Sequence, residues 1–189
     1  MADTEEGRMV NRWIVTALGK DRPGIVAGVT QVLYQLGCNL EDSAMTRLEG
    51  EFAVMLIFSS PARVKEEALR KGFGPLERGL KLAVHLKRLT KPETIRPRAQ
   101  GLTYLISVYG ADRPGIVFRV SEALARAGIN IIDVHTHRSA VKGPSLYLLL
   151  LEVEFPARVT AESLEGRLKR LGRSLGVEVS LRPSEATVL

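Results

Sequence analysis

The chain has 189 residues, and 27 Lys and Arg against 21 Asp and Glu leave a formal charge of +6. Its 45% hydrophobic and 25% charged residues are the composition of a folded globular chain, which excludes a mainly disordered protein. The length fits one large domain or two small ones. The single cysteine, Cys38, excludes an internal disulfide framework and a Cys-rich zinc site.

Targeting and partner signals are weak. The first nine residues, MADTEEGRM, are acidic and polar, whereas a secretory signal needs a basic start and an apolar stretch. No apolar run approaches the roughly 20 residues of a membrane span, so we expect a soluble, cytoplasmic protein with no membrane partner. The basic residues are dispersed and aromatic residues make up only 5%, so we do not expect a direct nucleic-acid partner.

An internal repeat organises the chain. Residues 14–47 align without a gap to residues 105–138 at a constant offset of 91, with 13 identical pairs. The block DRPGIV occurs in both, at 21–26 and at 112–117. The period is too long for a small solenoid unit, so it predicts two copies of one compact domain.

The predicted copies occupy residues 11–88 and 101–183. Residues 89–100 carry Pro92 and Pro97 among polar and charged residues, a pattern typical of a linker.

Each copy is predicted as strand, helix, strand, strand, helix, strand. The strands predicted in copy one are Trp13–Gly19, Asn39–Leu48, Glu51–Ser59 and Lys81–Arg88. Those predicted in copy two are Thr103–Gly110, Ile129–Arg138, Ser145–Glu154 and Val177–Arg182. This order predicts an α+β fold, the ferredoxin-like sandwich, with a four-stranded antiparallel sheet and both helices on one face. The other face is left bare, so we expect the copies to contact each other through strand edges or sheet faces.

The first helix of each copy shows apolar residues at helical spacing. They are Ile25, Val29, Val32, Leu33 and Leu36 in copy one, and Ile116, Val120, Ala123, Leu124 and Ala127 in copy two. Pro23 and Pro114 are predicted in the first helical turn, with Asp21 and Asp112 capping it, and Gly37 and Gly128 are predicted as left-handed C-terminal caps.

The second helices are predicted at Ala62–Gly79 and Thr160–Leu175. Residues 72–75, GFGP, are expected to break or kink the first of these.

The loop after each first strand is the strongest candidate site. Free amides at a helix start favour an anion, and Gly24 or Gly115 lets a ligand approach the backbone. Asn39 and Asn130 can donate and accept hydrogen bonds. Loop amides could therefore take the carboxylate of an amino acid, while an Asn oxygen and an Asp take its ammonium. The alternative is that all these residues serve only caps and turns.

Both copies resemble ACT domains, small regulatory modules that bind amino acids, in the DRPGI after the first strand and the G-x-N before the second. The tandem arrangement is similar to the glycine cleavage system transcriptional repressor family. The resemblance implies that a small amino acid such as glycine or serine is held between two modules. It also implies a homo-oligomer, and a transcription factor or enzyme as partner. It points to these ligand-binding residues: Asp21, Arg22, Pro23, Gly24, Ile25 and Asn39, with Asp112, Arg113, Pro114, Gly115, Ile116 and Asn130.

Other readings are open at this point. A ligand-free scaffold that docks on a transcription factor or enzyme would need no amino acid. Asp133, His135 and His137 alternate along a strand, a spacing that can ligate a metal, although copy one has Asp42, Ala44 and Thr46 there. We identify no nucleophile, catalytic carboxylate pair or cofactor loop, so we expect neither an enzyme nor a cofactor.

Overall fold

The computed structural model describes residues 10–90, 102–139 and 145–184. The chain divides into two compact units, the first holding the elements up to residue 89 and the second those from residue 103 onward. The predicted linker 89–100 lies outside the described residues from position 91 onward, so its boundaries stay a prediction. Within the described residues, no helix is long and apolar enough to cross a membrane.

Unit 1 has the predicted element order. Its elements are β1 (Val10–Lys20), α1 (Ile25–Gln35), β2 (Asn39–Leu48), β3 (Glu51–Pro61), α2 (Glu66–Leu80) and β4 (Ala83–Leu89). The antiparallel sheet has the strand order β2-β3-β1-β4, which places β2 and β4 at its edges.

Unit 2 repeats this topology. Its elements are β5 (Thr103–Ala111), α3 (Ile116–Arg126), β6 (Asn130–Ser139), β7 (Leu146–Glu154), α4 (Ala161–Leu175) and β8 (Val177–Pro183). The strand order β6-β7-β5-β8 matches that of unit 1, so the predicted ferredoxin-like fold is confirmed in both copies. The difference in residue number between equivalent positions of the two units is 91 at Arg47 and Arg138 but 95 at Phe52 and Tyr147. Unit 2 therefore has four extra residues between β6 and β7.

The helices pack against one sheet face because their apolar residues recur on one side. In α1, Ile25, Val29, Val32 and Leu33 are buried, and α3 buries Ile116, Val120 and Leu124 at equivalent positions. Each unit has its own hydrophobic core. The predicted C-terminal glycine caps are confirmed, with φ of 66° at Gly37 and 70° at Gly128.

One helix prediction is wrong. The helix α2 begins at Glu66 rather than Ala62, and it continues through Pro75 without interruption. A proline inside a helix removes one backbone hydrogen bond. Here Leu69 and Phe73 are buried in the core and Leu76 and Leu80 pack against it, so apolar burial on one helix face offsets that loss.

The sheet edges at β2 and β6 are open to solvent. Every residue of the edge strand β2 is exposed, including Met45 and Leu48 at 66% and 70% exposure. The equivalent strand β6 is exposed over eight of its ten residues.

Candidate functional site

The loop between β1 and α1 places an open backbone segment at the start of the helix. The backbone N–H of Asp21 donates to the carbonyl of Gly50 at 2.9 Å, which ties the loop to the turn between β2 and β3. The N-cap residue is Gly24, with φ of 95°, and Gly28 N–H donates to its carbonyl at 2.8 Å. The three amides between them, at 25–27, lie at the N-terminal end of the helix, where no intrahelical acceptor exists.

Gly24 is required by this conformation. A φ of 95° is left-handed, where a side chain costs about 1–2 kcal/mol. A Cβ built at Gly24 meets no atom within 4 Å. Gly24 is exposed, so its backbone is open to a ligand on this side.

The predicted aspartate cap is wrong. No side chain accepts a hydrogen bond at the N-cap, because Gly24 occupies that position and Pro23 precedes it instead of entering the first turn. The Asp21 carboxylate instead forms an ion pair with Arg47, with Oδ2 to Nη1 at 3.2 Å. The aspartate therefore links the loop to the end of β2.

Unit 2 has the same loop. Asp112 N–H donates to Ser145 O at 2.9 Å, and Gly115 has φ of 92° with no atom within 4 Å of its Cβ position. Asp112 and Arg138 approach at 3.7 Å, a looser pair than that of unit 1. Pro114 precedes the N-cap, and Asp112 makes no cap bond, so the capping prediction is wrong here too.

The isoleucines of the predicted site point into the core. Ile25 and Ile116 are each 2% exposed, so their side chains anchor the loops in the core. Arg22, Arg113 and both prolines are exposed. The Arg113 guanidinium lies beside Gly176, at 3.1 Å from the Cβ position of that glycine.

The predicted asparagines lie at the other end of the sheet. Asn39 pairs with Ser59, and Ser59 pairs with Arg12, which precedes Asp21 by nine positions. At about 3.3 Å per strand residue this places Asn39 roughly 30 Å along the sheet from its own loop. Asn130 pairs with Glu154, which pairs with Thr103, again nine positions before Asp112. One copy therefore does not bring its loop and its asparagine onto a single amino acid.

Sequence reasoning missed the arginines that hold the loop aspartates. Arg47 and Arg138 are the last identical pair of the repeat, and that identity was the available signal. It also missed Tyr147, which lies opposite Gly110 in the sheet. Burial raises the pKa of Tyr147, a side-chain hydrogen bond with Thr136 lowers it, and the charge of Asp112 raises it further.

The histidine strand forms no metal cluster in the described residues. His135 Nε2 lies 2.8 Å from Asp133 Oδ2, and both side chains are more than half exposed. His137 is on the same face, but no group of three or more metal-ligating side chains occurs within 10–90, 102–139 and 145–184. Cys38 is half-buried against the core of unit 1, and this burial raises the pKa of its thiol.

Comparison with known families shows which family the chain belongs to. Two ACT-domain models match the chain, one over residues 11–87 and one over residues 104–173. The chain is a tandem ACT-domain protein. Each matched segment holds one loop and one strand-initiating asparagine, Gly24 with Asn39 and Gly115 with Asn130.

Relatives of similar length match this chain across both units. The glycine cleavage system transcriptional repressor of Escherichia coli is 28% identical over 172 residues, covering 89% of this chain and 87% of the relative. A crystal structure of an unknown protein from Galdieria sulphuraria superposes with a TM-score of 0.76 at 26% identity, covering 93% of this chain and 99% of that one. A candidate glycine cleavage system transcriptional repressor superposes with a TM-score of 0.66 at 20% identity over 93% of this chain and 98% of its own, which supports the fold. The chain is thus a regulatory ACT-domain protein related to the glycine cleavage repressor.

Proposed function

We propose that this tandem ACT protein senses a small amino acid through its two glycine loops and acts on a partner protein in the cytoplasm. The partner is a transcription factor or enzyme, and the kinship with the repressor of Escherichia coli favours control of glycine cleavage. The protein has no catalytic role in this proposal. The ligand acts by binding one arrangement of the modules better than another.

The open backbone at Gly24 and Gly115 carries the proposal. Both glycines are left-handed, both have free space at the Cβ position, and both begin a helix. Amides at a helix N-terminus bind carboxylates, supported by the helix dipole. The same geometry in both copies supports one shared ligand chemistry.

The distance between loop and asparagine suggests how a site is completed. Because β2 runs parallel to β1, the loop and the asparagine of one module lie at opposite ends of its sheet and cannot hold the same amino acid. We therefore propose that each amino acid is held by the loop of one module and the asparagine of another. This second module belongs to the same chain or to a second copy of it, in a homo-oligomer.

The loop favours a small ligand. Ile25 and Ile116, which directly follow the glycines in sequence, are buried in the core and provide no wall for a ligand side chain. Glycine and serine fit such a site because their recognition depends on the carboxylate and ammonium groups.

Calorimetry with the twenty amino acids tests the proposal. We expect saturable binding of glycine or serine at or below millimolar concentration, and at least tenfold weaker binding in the double variant Asn39→Ala/Asn130→Ala. Gln31→Ala is the matched control, since it removes an exposed amide from α1 beyond the first helical turn that follows the loop. The absence of binding by all twenty amino acids would contradict the sensing role.

A ligand-free scaffold is the second candidate, and the exposed strand β2 favours it. Met45 and Leu48 offer apolar surface on an unpaired strand edge, which is suited to association. In that case, light scattering would show a dimer that no amino acid alters and that Met45→Glu weakens. The sensor instead predicts an assembly that responds to the ligand.

A further inference from the structure

A cleft in unit 2 gathers three arginines away from the glycine loop of that unit. It lies between the end of α3 and the start of α4 and has a volume of about 310 Å³. Its walls include Arg126, Arg158 and Arg167, and its apolar floor includes Ala127, Val159 and Leu164. We call this site the arginine cleft.

The positive charge of the cleft is only partly neutralised. Arg126 pairs with Glu122 at 2.7 Å, but its side chain is 77% exposed. Within the described residues, Arg158 and Arg167 have no carboxylate within ion-pair distance. Three guanidinium groups around one cavity repel each other, so an anion that enters the cleft would lower the electrostatic free energy.

The fold positions Arg158. Its Nη2 atom lies 2.9 Å from the Cβ position of Gly128, directly over the C-terminal cap of α3. The carbonyl end of a helix stabilises a cation there. In unit 1 the counterpart Arg63 has its Nη2 at 3.8 Å from the Cβ position of Gly37, so this arginine belongs to both copies.

The start of α4 is already capped. Thr160 Oγ1 accepts from the Ser163 amide at 3.4 Å, and the Ser163 hydroxyl donates to the Thr160 carbonyl at 3.2 Å. The guanidinium groups are therefore the charged donors that line the cleft.

The other two arginines are specific to unit 2. In unit 1 the counterpart of Arg126 is Gln35 and that of Arg167 is Gly72. A Cβ at Gly72 would lie 2.7 Å from Val32 Cγ1, whereas unit 2 has Ala123 in place of that valine. Because both units share one fold, the fold itself does not require the arginine cleft.

We propose that the arginine cleft binds the phosphoryl group of a small organic phosphate. A guanidinium forms two parallel hydrogen bonds with phosphate oxygens, and three of them match the charge and the several acceptor oxygens of a phosphoryl group. By contrast, one guanidinium is enough to pair with both oxygens of a single carboxylate. The volume is at the lower end of the range for small-ligand pockets, and the apolar floor suits the carbon part of the ligand.

Calorimetry of the full chain with inorganic pyrophosphate and inorganic phosphate at low salt tests the proposal. We expect saturable binding of one pyrophosphate per chain that weakens as salt is added. Each arginine replaced should cost on the order of tenfold in affinity, so Arg126→Gln/Arg167→Gln should bind about 100-fold more weakly. Both side chains are exposed, and unchanged thermal unfolding of the variant would show that it still folds.

Arg170→Gln is the control, because it removes the same charge from α4 outside the cleft. Its affinity for pyrophosphate should stay within about threefold of the parent protein. The proposal would be overturned if Arg170→Gln weakened pyrophosphate binding as much as Arg126→Gln/Arg167→Gln does. It would also be overturned if neither phosphate bound saturably, or if glutarate bound as tightly as pyrophosphate. Amino-acid binding at the glycine loops should be the same in Arg126→Gln/Arg167→Gln, so the two proposals fail separately.

Discussion

The two units share the same glycine loop but differ in the charged residues near it. Gly24 and Gly115 have φ of 95° and 92°, and each loop aspartate faces an arginine from the strand following the first helix. The surroundings differ in charge, with Lys20 in unit 1 replaced by Ala111 and Gly28 replaced by Arg119. The contrast shows that the glycine loop is a common requirement, whereas the charge beside it is specific to each copy.

The cores show the same contrast. In unit 1 the Trp13 indole N–H donates to the buried Ser60 hydroxyl at 2.9 Å. Unit 2 has Tyr104 and Phe155 at these positions, stacked with ring centroids 4.3 Å apart. A polar contact in one copy is thus replaced by an aromatic contact in the other, within the same fold.

The largest expected effect tests whether the two cores are separate. Phe73→Ala removes a 2% exposed ring from the unit 1 core and should destabilise it by about 3–5 kcal/mol. Hydrogen exchange should show protection lost in β1 to β4 and retained in β5 to β8. Leu168→Ala is the counterpart in unit 2 and should reverse that pattern; loss of protection in both units with either variant would show that they unfold as one.

The polar contact in the core of unit 1 and the aromatic contact in the core of unit 2 predict a smaller effect on stability. Ser60→Ala leaves the Trp13 N–H without its buried acceptor, so it should cost about 1–3 kcal/mol in chemical denaturation. Tyr104→Phe retains the ring stack of unit 2 and should change stability by less than about 0.5 kcal/mol. A cost for Tyr104→Phe as large as that for Ser60→Ala would contradict the contrast between the cores.

The loop glycines should behave alike. Gly24→Ala and Gly115→Ala should each destabilise by about 1–2 kcal/mol, since the left-handed backbone is the obstacle rather than lack of space. Gly166→Ala, inside α4, is the control and should stabilise by about 0.5–1 kcal/mol. Clearly unequal costs at the two loop glycines in thermal unfolding would show that the loops are not equivalent.

The ion pairs of the loops should give the smallest effect. Arg47→Gln and Arg138→Gln remove exposed pairs, so each should cost at most about 1 kcal/mol, with the shorter 3.2 Å pair of Arg47 costing more than the 3.7 Å pair of Arg138. The difference should shrink in high salt. A larger loss for Arg138→Gln in salt-dependent denaturation would contradict this order.

The sequence repeat was enough to predict the fold. Thirteen identical pairs and two sets of apolar spacing predict the same element order twice, and the structure confirms it. The helix starts were mispredicted because Asp and Pro are favoured at caps, yet the left-handed Gly24 takes the N-cap position. Residue preferences favour Asp, Pro and Gly alike at a helix start, so they do not decide which of them takes the N-cap position.

The candidate site was predictable only in part. The loop motif identifies Gly24 and Gly115 from local sequence, but the separation of loop and asparagine depends on strand register across the sheet. The arginine cleft depends on the packing of α3 against α4, so residues about 40 positions apart meet there without any sequence pattern.

The most direct test of the central claim is an amide NMR titration of the full chain with glycine and with serine. Sensing at the loops predicts saturable shifts of the Gly24 and Gly115 amide resonances and of the helix amides that follow them, and loss of these shifts in Asn39→Ala/Asn130→Ala. No saturable shift with either amino acid, or shifts confined to residues away from both loops, would contradict it.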